Sequence, residues 1–432
     1  VERRSVKKTN RFGHLRESPF EATPTQTAPF KLASPKFMTV AAIREAGTLS
    51  RTRIAEAIGY SPSKITSVVN DLIQGGILEE KGEDPATSGR RAKEIGFNPQ
   101  FGYIVAARIG FTKLDIALVD FTEHIRVRRM LPLPQPADPN TVLNQICQVI
   151  RERIDKLTIP VSDILAFSII VPSSVDTQSG TLFDTPHLPS WGGYPIDSLI
   201  RESFPYAIVL IENEANAMAL GELRKGNARD LQNLVYVNVG TTVNSGIILN
   251  RQIYRGANGR AGEIGPMRVE HKNAVGEIED VVPLDTLVSG TAIAAQARET
   301  VRSGIETILS HDDLAALSAR DVAVAATEGD RVANQIIQRS GQVLGETLAN
   351  IVNFLDTDLV LIGGPVSAAA PAFLASIRRS IFDRSPSLAT QHLRIEIATL
   401  GPEAGILGAI ALALENIFVS DRWENTAKHG RT

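Results

Sequence analysis

The stretch Leu49–Ile77, LSRTRIAEAIGYSPSKITSVVNDLIQGGI, decides how the amino-terminal quarter of the chain folds. Its pattern predicts two helices joined by a tight turn. Ser50 can cap the first helix, and Ile54, Ala55 and Ile58 share one face of it. Gly59 suits the break, because glycine tolerates a left-handed backbone. Ser61 caps the second helix, and Pro62 occupies its first turn, where a missing N–H costs nothing. Ile65, Val68, Val69, Leu72 and Ile73 recur at helical spacing and predict a buried stripe. The opposite face carries Ser61, Ser63, Lys64, Thr66, Ser67 and Asn70. Side chains of this kind, small or hydrogen-bonding, let a helix enter a major groove and reach base edges. An ordinary αα-hairpin with a solvated polar face has the same pattern.

The flanks favour the first reading. Ile77–Lys81 and Lys93–Phe97 are predicted strands, and the turn-rich GEDPATSGRRA between them ends with Arg90 and Arg91. A helix-turn-helix followed by a basic hairpin is a winged helix, whose wing contacts phosphates or a minor groove. Phe37–Ala46 supplies a third helix. The expected winged helix-turn-helix domain spans 36–98, and the polar, aperiodic residues 1–35 before it are an expected disordered tail.

Charge is distributed accordingly. The 432-residue chain has a net charge of −3, yet residues 1–100 hold 16 Lys and Arg against 11 Asp and Glu, while the remainder holds 29 against 37. A basic amino-terminal quarter on an acidic body suits a double-stranded DNA-binding module joined to a soluble domain. Cys147 is the one cysteine, which excludes an intrachain disulfide and a cysteine-rich zinc site. No apolar run is expected to reach the roughly 18 residues of a membrane span. The first 15 residues lack the apolar core of a secretion signal, so the cytoplasm is the expected location.

After the short joint Asn98–Gly102 the character changes. YIVAARIG (103–110) is an apolar strand interrupted only by Arg108; FTK turns it into LDIALVD. The same form returns about 130 residues later as LVYVNVG, TTVNS and GIILN. Each apolar strand runs into Gly-x-Thr, at Gly110–Thr112 and Gly240–Thr242, and then into a returning strand. Two such hairpins suggest a duplicated two-lobe α/β fold with a cleft between the lobes. Clustered N–H groups in such turns can form anion nests. Val142–Leu157 is a predicted amphipathic helix. Strands are predicted at Ile164–Val171 and at Ile208–Ile211, which runs into Glu212–Asn216 and the helix Ala217–Arg224. The Gly-rich GANGRAGEIGPMRV follows the second hairpin. Further on come a long helix at Asp330–Phe354, strands at Leu359–Ile362 and Leu393–Ile397, and an apolar helix from Gly405.

From about Phe37 to Phe418 the chain resembles the ROK group of repressors, open reading frames and kinases, specifically its xylose- and N-acetylglucosamine-type regulators. The resemblance is carried by TLSRTRIAEAIGYSPSKITSVVNDLIQGGILEE and SGRR at the amino-terminal end. In the body it is carried by IENEANAMALGE, RAGEIG, SGTAIA, LVLIGGPVS and GPEAGILGAIALA. It implies a winged helix-turn-helix followed, over 103–420, by a two-lobe actin-like (ribonuclease H-like) ATPase-type sugar-kinase fold. Family kinases bind sugar between the lobes through an Asn-Asp pair, a Gly-Glu-x-Gly-His element and a later Glu. The Asp is their general base, a Cys-and-His zinc site braces the loop, and ATP sits on two Gly-rich turns.

This chain departs from that pattern. The kinase Asp-x-Gly-Gly-Thr turn reads Arg108-Ile109-Gly110-Phe111-Thr112, and the second turn reads Gly240 through Gly246 as GTTVNSG. Glu214 stands at the catalytic Asp position, Pro266 at the His, and HKNAVGEIEDVVPLD where the cysteines belong. A longer carboxylate displaced by about 1 Å can cost roughly a hundredfold in rate. The expectation is a body that has lost its ATP and zinc sites, needs no cofactor or metal, and keeps part of a sugar pocket in Asn213, Glu214, Glu263 and Asp285. For Asn213 and Glu214 the alternative is a helix-start cap, and for Glu263 a loop carboxylate bonded to backbone.

Three functions follow. The first is a repressor that binds operator DNA as a homodimer or homotetramer and responds to a small carbohydrate-type effector without phosphorylating it. The second is an active sugar kinase with an appended DNA-binding domain, and the third a ligand-blind dimeric regulator.

Overall fold

The computed structural model describes residues 34–83, 93–176, 179–183, 188–273, 276–309 and 314–419. Near the amino-terminal end lie α1 (Pro35–Ala46), β1 (Thr48–Ser50), α2 (Arg51–Ile58), α3 (Pro62–Gln74), β2 (Leu78–Glu83) and β3 (Lys93–Phe97). The hydroxyls of Ser34, Ser50 and Ser61 accept hydrogen bonds from Phe37 N, Arg53 N and Lys64 N, so each helix starts on a serine cap. Gly59 closes α2 at φ 74°, which turns the chain into α3. The three strands pair in the order β1-β3-β2. β1 escaped the sequence reading because three residues are too few to show alternation. Residues 1–33 of the expected tail lie outside the described residues, as do Arg90 and Arg91 of the expected wing.

Next come β4 (Tyr103–Ile109), β5 (Lys113–Asp120), β6 (Ile125–Pro132), α4 (Pro139–Leu157), β7 (Ile164–Val171), α5 (Ile196–Ser203), β8 (Ile208–Asn213) and α6 (Glu214–Lys225). A second series opens with β9 (Leu234–Val239), β10 (Val243–Leu249), β11 (Gln252–Ile253), β12 (Arg268–Lys272), β13 (Ile278–Pro283), α7 (Asp285–Val288), α8 (Gly290–Arg302), α9 (Ala319–Thr327) and α10 (Arg331–Leu355). It closes with β14 (Leu359–Gly363), α11 (Pro365–Ala369), α12 (Pro371–Arg384), α13 (Ser387–Thr390), β15 (Arg394–Ile397) and α14 (Ala404–Val419).

The duplication is visible in the sheets. One has the order β6-β5-β4-β7-β8 and the other β11-β10-β9-β14-β15. In each, an antiparallel meander of three strands is extended by two parallel strands on the far side of its first strand. The actin-like, two-lobe fold is this repeated unit. Parallel pairing buries strands on both faces, and β7 and β14 are accordingly buried throughout. Helices α4 and α5 cover one sheet through Leu143, Ile146, Ile150 and Ile200, with Phe204 just after α5, and Cys147 is buried there too. Helices α8 to α12 cover the other through Ile293, Val322, Ile337, Leu344, Phe373 and Ile377.

Helices α6 and α14 tie these layers together. α6 packs on the second sheet through Leu220 and Leu223. α14 shares that cluster through Ala404, Ala411 and Leu412, while Ile406, Ile410, Leu414, Ile417 and Phe418 face the first sheet. The two helices touch backbone to backbone: a Cβ at Gly408 would lie 1.8 Å from Ala217 O, and one at Gly221 2.3 Å from Ala404 O. The cluster around Ile410 and Phe418 runs without a break into Val40, Ile43, Ile54, Ile65 and Leu72 of α1, α2 and α3. Its seam is aromatic, with Phe121 5.5 Å from Phe97, 5.5 Å from Phe418 and 4.9 Å from Phe101.

One sequence expectation needs correction. Gly401–Phe418 is an 18-residue stretch long and apolar enough to cross a membrane by length and composition. Within the fold 67% of it is buried. A helix that faces two sheets must be apolar nearly all round, which accounts for the composition.

Candidate functional site

Two groups of residues stand out, one on α3 and one where β8 runs into α6. On α3 the apolar stripe Ile65, Val68, Val69 and Leu72 is buried, and Ser61, Ser63, Lys64, Thr66, Ser67 and Asn70 are all exposed. Four of these six are engaged locally. Ser61 caps the helix, Thr66 Oγ1 donates to Pro62 O at 2.8 Å, and Asn70 Oδ1 accepts from Arg51 Nη2 at 3.1 Å. The same guanidinium reaches Glu80 Oε1 at 3.2 Å, fastening α2 to α3 and to the hairpin. The Ser63 hydroxyl lies 3.2 Å from that of Ser61. The side chains of Lys64 and Ser67 make no hydrogen bond or ion pair among the described residues, which leaves an exposed cation and a hydroxyl one turn apart.

In the body, the apolar strand β8 ends in two polar residues because the chain there leaves one sheet and opens α6. Asn213 is the N-cap: its Oδ1 accepts from Ala215 N at 2.8 Å and Asn216 N at 3.4 Å, and its Nδ2 donates to Ser173 O at 3.1 Å. Glu214 is the first residue of α6 and is buried. The positive end of the helix dipole favours a carboxylate there. Arg108 of β4 supplies the counter-charge, with Nε and Nη2 each 2.5 Å from Glu214 Oε1. Arg108 and Glu214, the two positions expected to depart from the kinase pattern, thus meet each other in space.

A second buried carboxylate with a half-buried arginine partner lies beside the first. Glu212 Oε1 accepts from Asn213 N and Asn216 Nδ2, both at 2.9 Å. Its Oε2 accepts from Arg255 Nε at 2.8 Å and Nη2 at 2.7 Å. Asn216 Oδ1 is buried without a hydrogen-bond partner among the described residues. Glu263 accepts from Ser174 Oγ at 2.5 Å. Arg255 and Glu263 belong to the Gly-rich segment that follows β11, whereas Glu212 lies at the end of β8 and Ser174 follows β7 in the first sheet, so these two contacts join the lobes. Behind them the Tyr236 phenol is held far above its ordinary pKa, by burial first and then by the charges of Glu222 and Glu214.

The structure therefore brings Asn213, Glu214 and Glu263 into one connected network. Asp285 occupies a different role at its edge: its Oδ1 accepts from Val243 N at 2.5 Å and its backbone N donates to Gly265 O at 3.0 Å. This carboxylate braces the Gly-rich segment against β10. The turn amides are likewise engaged, Gly110 N with Lys113 O at 2.9 Å and Gly240 N with Thr242 O at 3.0 Å, each closing its own hairpin. A groove of about 330 Å³ lies behind α7, between β12–β13 and α10. The sequence reading missed Arg255, Ser174 and Glu212 as parts of the network. A lone arginine inside the apolar strand 103–110 was the available signal, since a charge placed there demands a buried partner.

Comparisons with known proteins agree with this architecture. The ROK family profile matches residues 104–416. A putative xylose repressor of Caldicellulosiruptor sp. is 29% identical over 383 residues, 88% of this chain and 96% of its own length. The DNA-binding transcriptional dual regulator NagC of Escherichia coli is 26% identical over 372 residues, 86% of this chain and 89% of its own. The crystal structure of a ROK family transcriptional regulator, a homologue of the E. coli MLC protein, superposes with a TM-score of 0.76 at 22% identity, covering 91% of this chain and 98% of its own. With the profile spanning both sheets, from β4 through α14, the chain belongs to the ROK family.

Proposed function

We propose that the chain is a transcriptional repressor of carbohydrate uptake or metabolism genes, acting in the cytoplasm. Its α3 enters the major groove of operator DNA, and its body binds a sugar or sugar derivative without phosphorylating it. The observation that carries the reading is the α3 surface: Ser63, Lys64 and Ser67 stand exposed on a helix whose other face is locked into the core of a kinase-like body. Base contacts come from that face, with phosphate contacts from Arg90 and Arg91. A homodimer or homotetramer presents two α3 helices about 34 Å apart, or a multiple of that, to a symmetric operator.

The absence of phosphorylation is inferred from Glu214. A general base must take a proton from the attacking hydroxyl, and here both guanidinium donors of Arg108 converge on one oxygen of that carboxylate. Val243 N and the turn amides are occupied by protein acceptors where a nucleotide would need them. Asn213, Glu214 and Glu263, with Asp285 behind them, line the effector site in this reading. A ligand shifts the DNA-binding equilibrium only by binding one lobe arrangement better than another.

Fluorescence anisotropy with DNA from the gene's own upstream region, at two salt concentrations and with a panel of sugars and sugar acids, tests the proposal. Tight, salt-sensitive binding relieved by one compound is the expected result. ATP-dependent sugar phosphorylation abolished by Glu214→Ala would replace it with the kinase reading.

A further inference from the structure

We infer that Arg108 gates the effector site, and that opening its pair with Glu214 is delivered to the amino-terminal helices through α14. The inference rests on the regulator reading above but is tested without DNA or sugar. Glu214 is buried and cannot receive a ligand hydroxyl on Oε1 while Arg108 holds that oxygen from two nitrogens. A ligand that enters must therefore satisfy both partners, giving a donor to Glu214 and an acceptor to Arg108. Neighbouring hydroxyls of a sugar ring do both. An anion would satisfy Arg108 alone, in a network where Arg108 holds Glu214, Arg255 holds Glu212 and Glu263 is bound by the Ser174 hydroxyl. The gate therefore favours a neutral polyhydroxy ligand.

Movement of Arg108 has a mechanical consequence at the start of α14. A Cβ at Gly405 would lie 2.9 Å from Arg108 Cδ, so the arginine stem rests directly on the first turn of that helix. Just before it, Glu403 is paired with Arg128, which is itself bound to Asp115 at 2.7 Å, and this anchors the helix start on β5 and β6. The glycine contacts at 408 and 221 leave no slack between α14 and α6. About 20 Å further along α14, Phe418 packs 5.7 Å from Phe97, and the Arg44 guanidinium of α1 lies 5.8 Å over its ring. The far end of α6 reaches the same place: Arg224 pairs with Glu415 at 2.6 Å, and Lys225 with Glu123 at 2.5 Å, while Arg44 lies 3.7 Å from Glu123. Both helices therefore begin at the Arg108–Glu214 pair and end at the contact with α1. Close-packed elements of this kind shift as units rather than deforming.

Hydrogen exchange on the full chain, wild type against Glu214→Gln, tests the coupling. The amide weakens the pair without emptying its space. The expected result is exchange faster by roughly fivefold or more in 410–419 and 35–46, with 331–355 and 371–384 unchanged. A purely local or structural role gives a different pattern. Faster exchange confined to 103–109 and 214–217, or spread equally over all four helices, overturns the inference. If Glu214→Gln does not fold, Arg108→Lys, which keeps the counter-charge but cannot hold Oε1 from two nitrogens, is judged by the same pattern. Anisotropy on wild-type protein separately decides the DNA-binding reading, so failure of one is distinguishable from failure of the other.

Discussion

Replacing Gly408 with alanine sets two effects of opposite sign against each other. Within a helix the change gains up to about 1 kcal/mol from backbone propensity. In this fold the new Cβ would stand 1.8 Å from Ala217 O and 2.5 Å from Ala217 C, both backbone atoms of α6. A carbon beside a carbonyl oxygen rests at roughly 3.3 Å, so α14 and α6 must part by about 1.5 Å. No side chain can rotate to relieve the contact, which places the cost near the upper end of the roughly 1–3 kcal/mol typical of overpacking. Subtracting the propensity gain leaves a net destabilisation of about 2 kcal/mol. With a urea dependence of about 3 kcal/mol per molar, the unfolding midpoint falls by about 0.7 M. Circular dichroism during urea titration measures it directly. A midpoint that stays in place or rises would refute the packing described for these helices, because propensity would then have won.

Other perturbations have equally definite outcomes. Arg255→Met leaves Glu212 buried with only neutral donors, and thermal or urea unfolding should show a loss of about 3 kcal/mol. Asp330 caps the 25-residue α10; burial raises its pKa, but the amides of Ala333 and Ile308 and the Thr307 hydroxyl outweigh this and hold it below the ordinary value. A depressed folded-state pKa gives stability that is present above about pH 4 and lost as pH falls further. The stability gap between wild type and Asp330→Ala, about 1 kcal/mol at neutral pH, should therefore shrink in a series of melts from pH 6 to pH 3. Arg90→Ala should reduce the salt slope of operator binding by about one, and Lys64→Ala or Ser67→Ala should lower the preference for operator over random DNA; anisotropy with both DNAs reads the two effects.

The local elements were legible wherever a few adjacent residues determine them. Ser50, Gly59 and Ser61 mark the ends of α2 and α3, and β3 and β7 fall on their predicted spans, Lys93–Phe97 and Ile164–Val171. The repeated hairpins at 103–120 and 234–250 were visible because each sheet is built outward from one. The hairpin β12–β13 was not, since HKNAVGEIEDVVPLD alternates poorly and its strands pair only with each other. The sequence offers Asn213, Glu214 and Glu263 as candidates but does not give their partners. Arg108 and Glu214 are 106 positions apart, and nothing in the spacing tells which carboxylate an arginine will meet. Asn213 likewise reads as a sugar ligand or a cap from its neighbours alone, and the cap geometry emerges only with Ala215 N and Ser173 O in place.

The aromatic seam also imposes an order on synthesis. The core beneath α1, α2 and α3 includes Ile417 and Phe418, more than 370 residues downstream of α1. At ribosomal rates of about 5–20 residues per second, the first helices wait roughly 20–70 s for the residues that complete their packing. During that interval Phe97, Phe101 and Phe121 have no Phe418 to cover them, and the nascent chain presents a sticky edge of the kind chaperones hold. A chain interrupted before residue 404 therefore carries a whole α3 on an unfinished foundation.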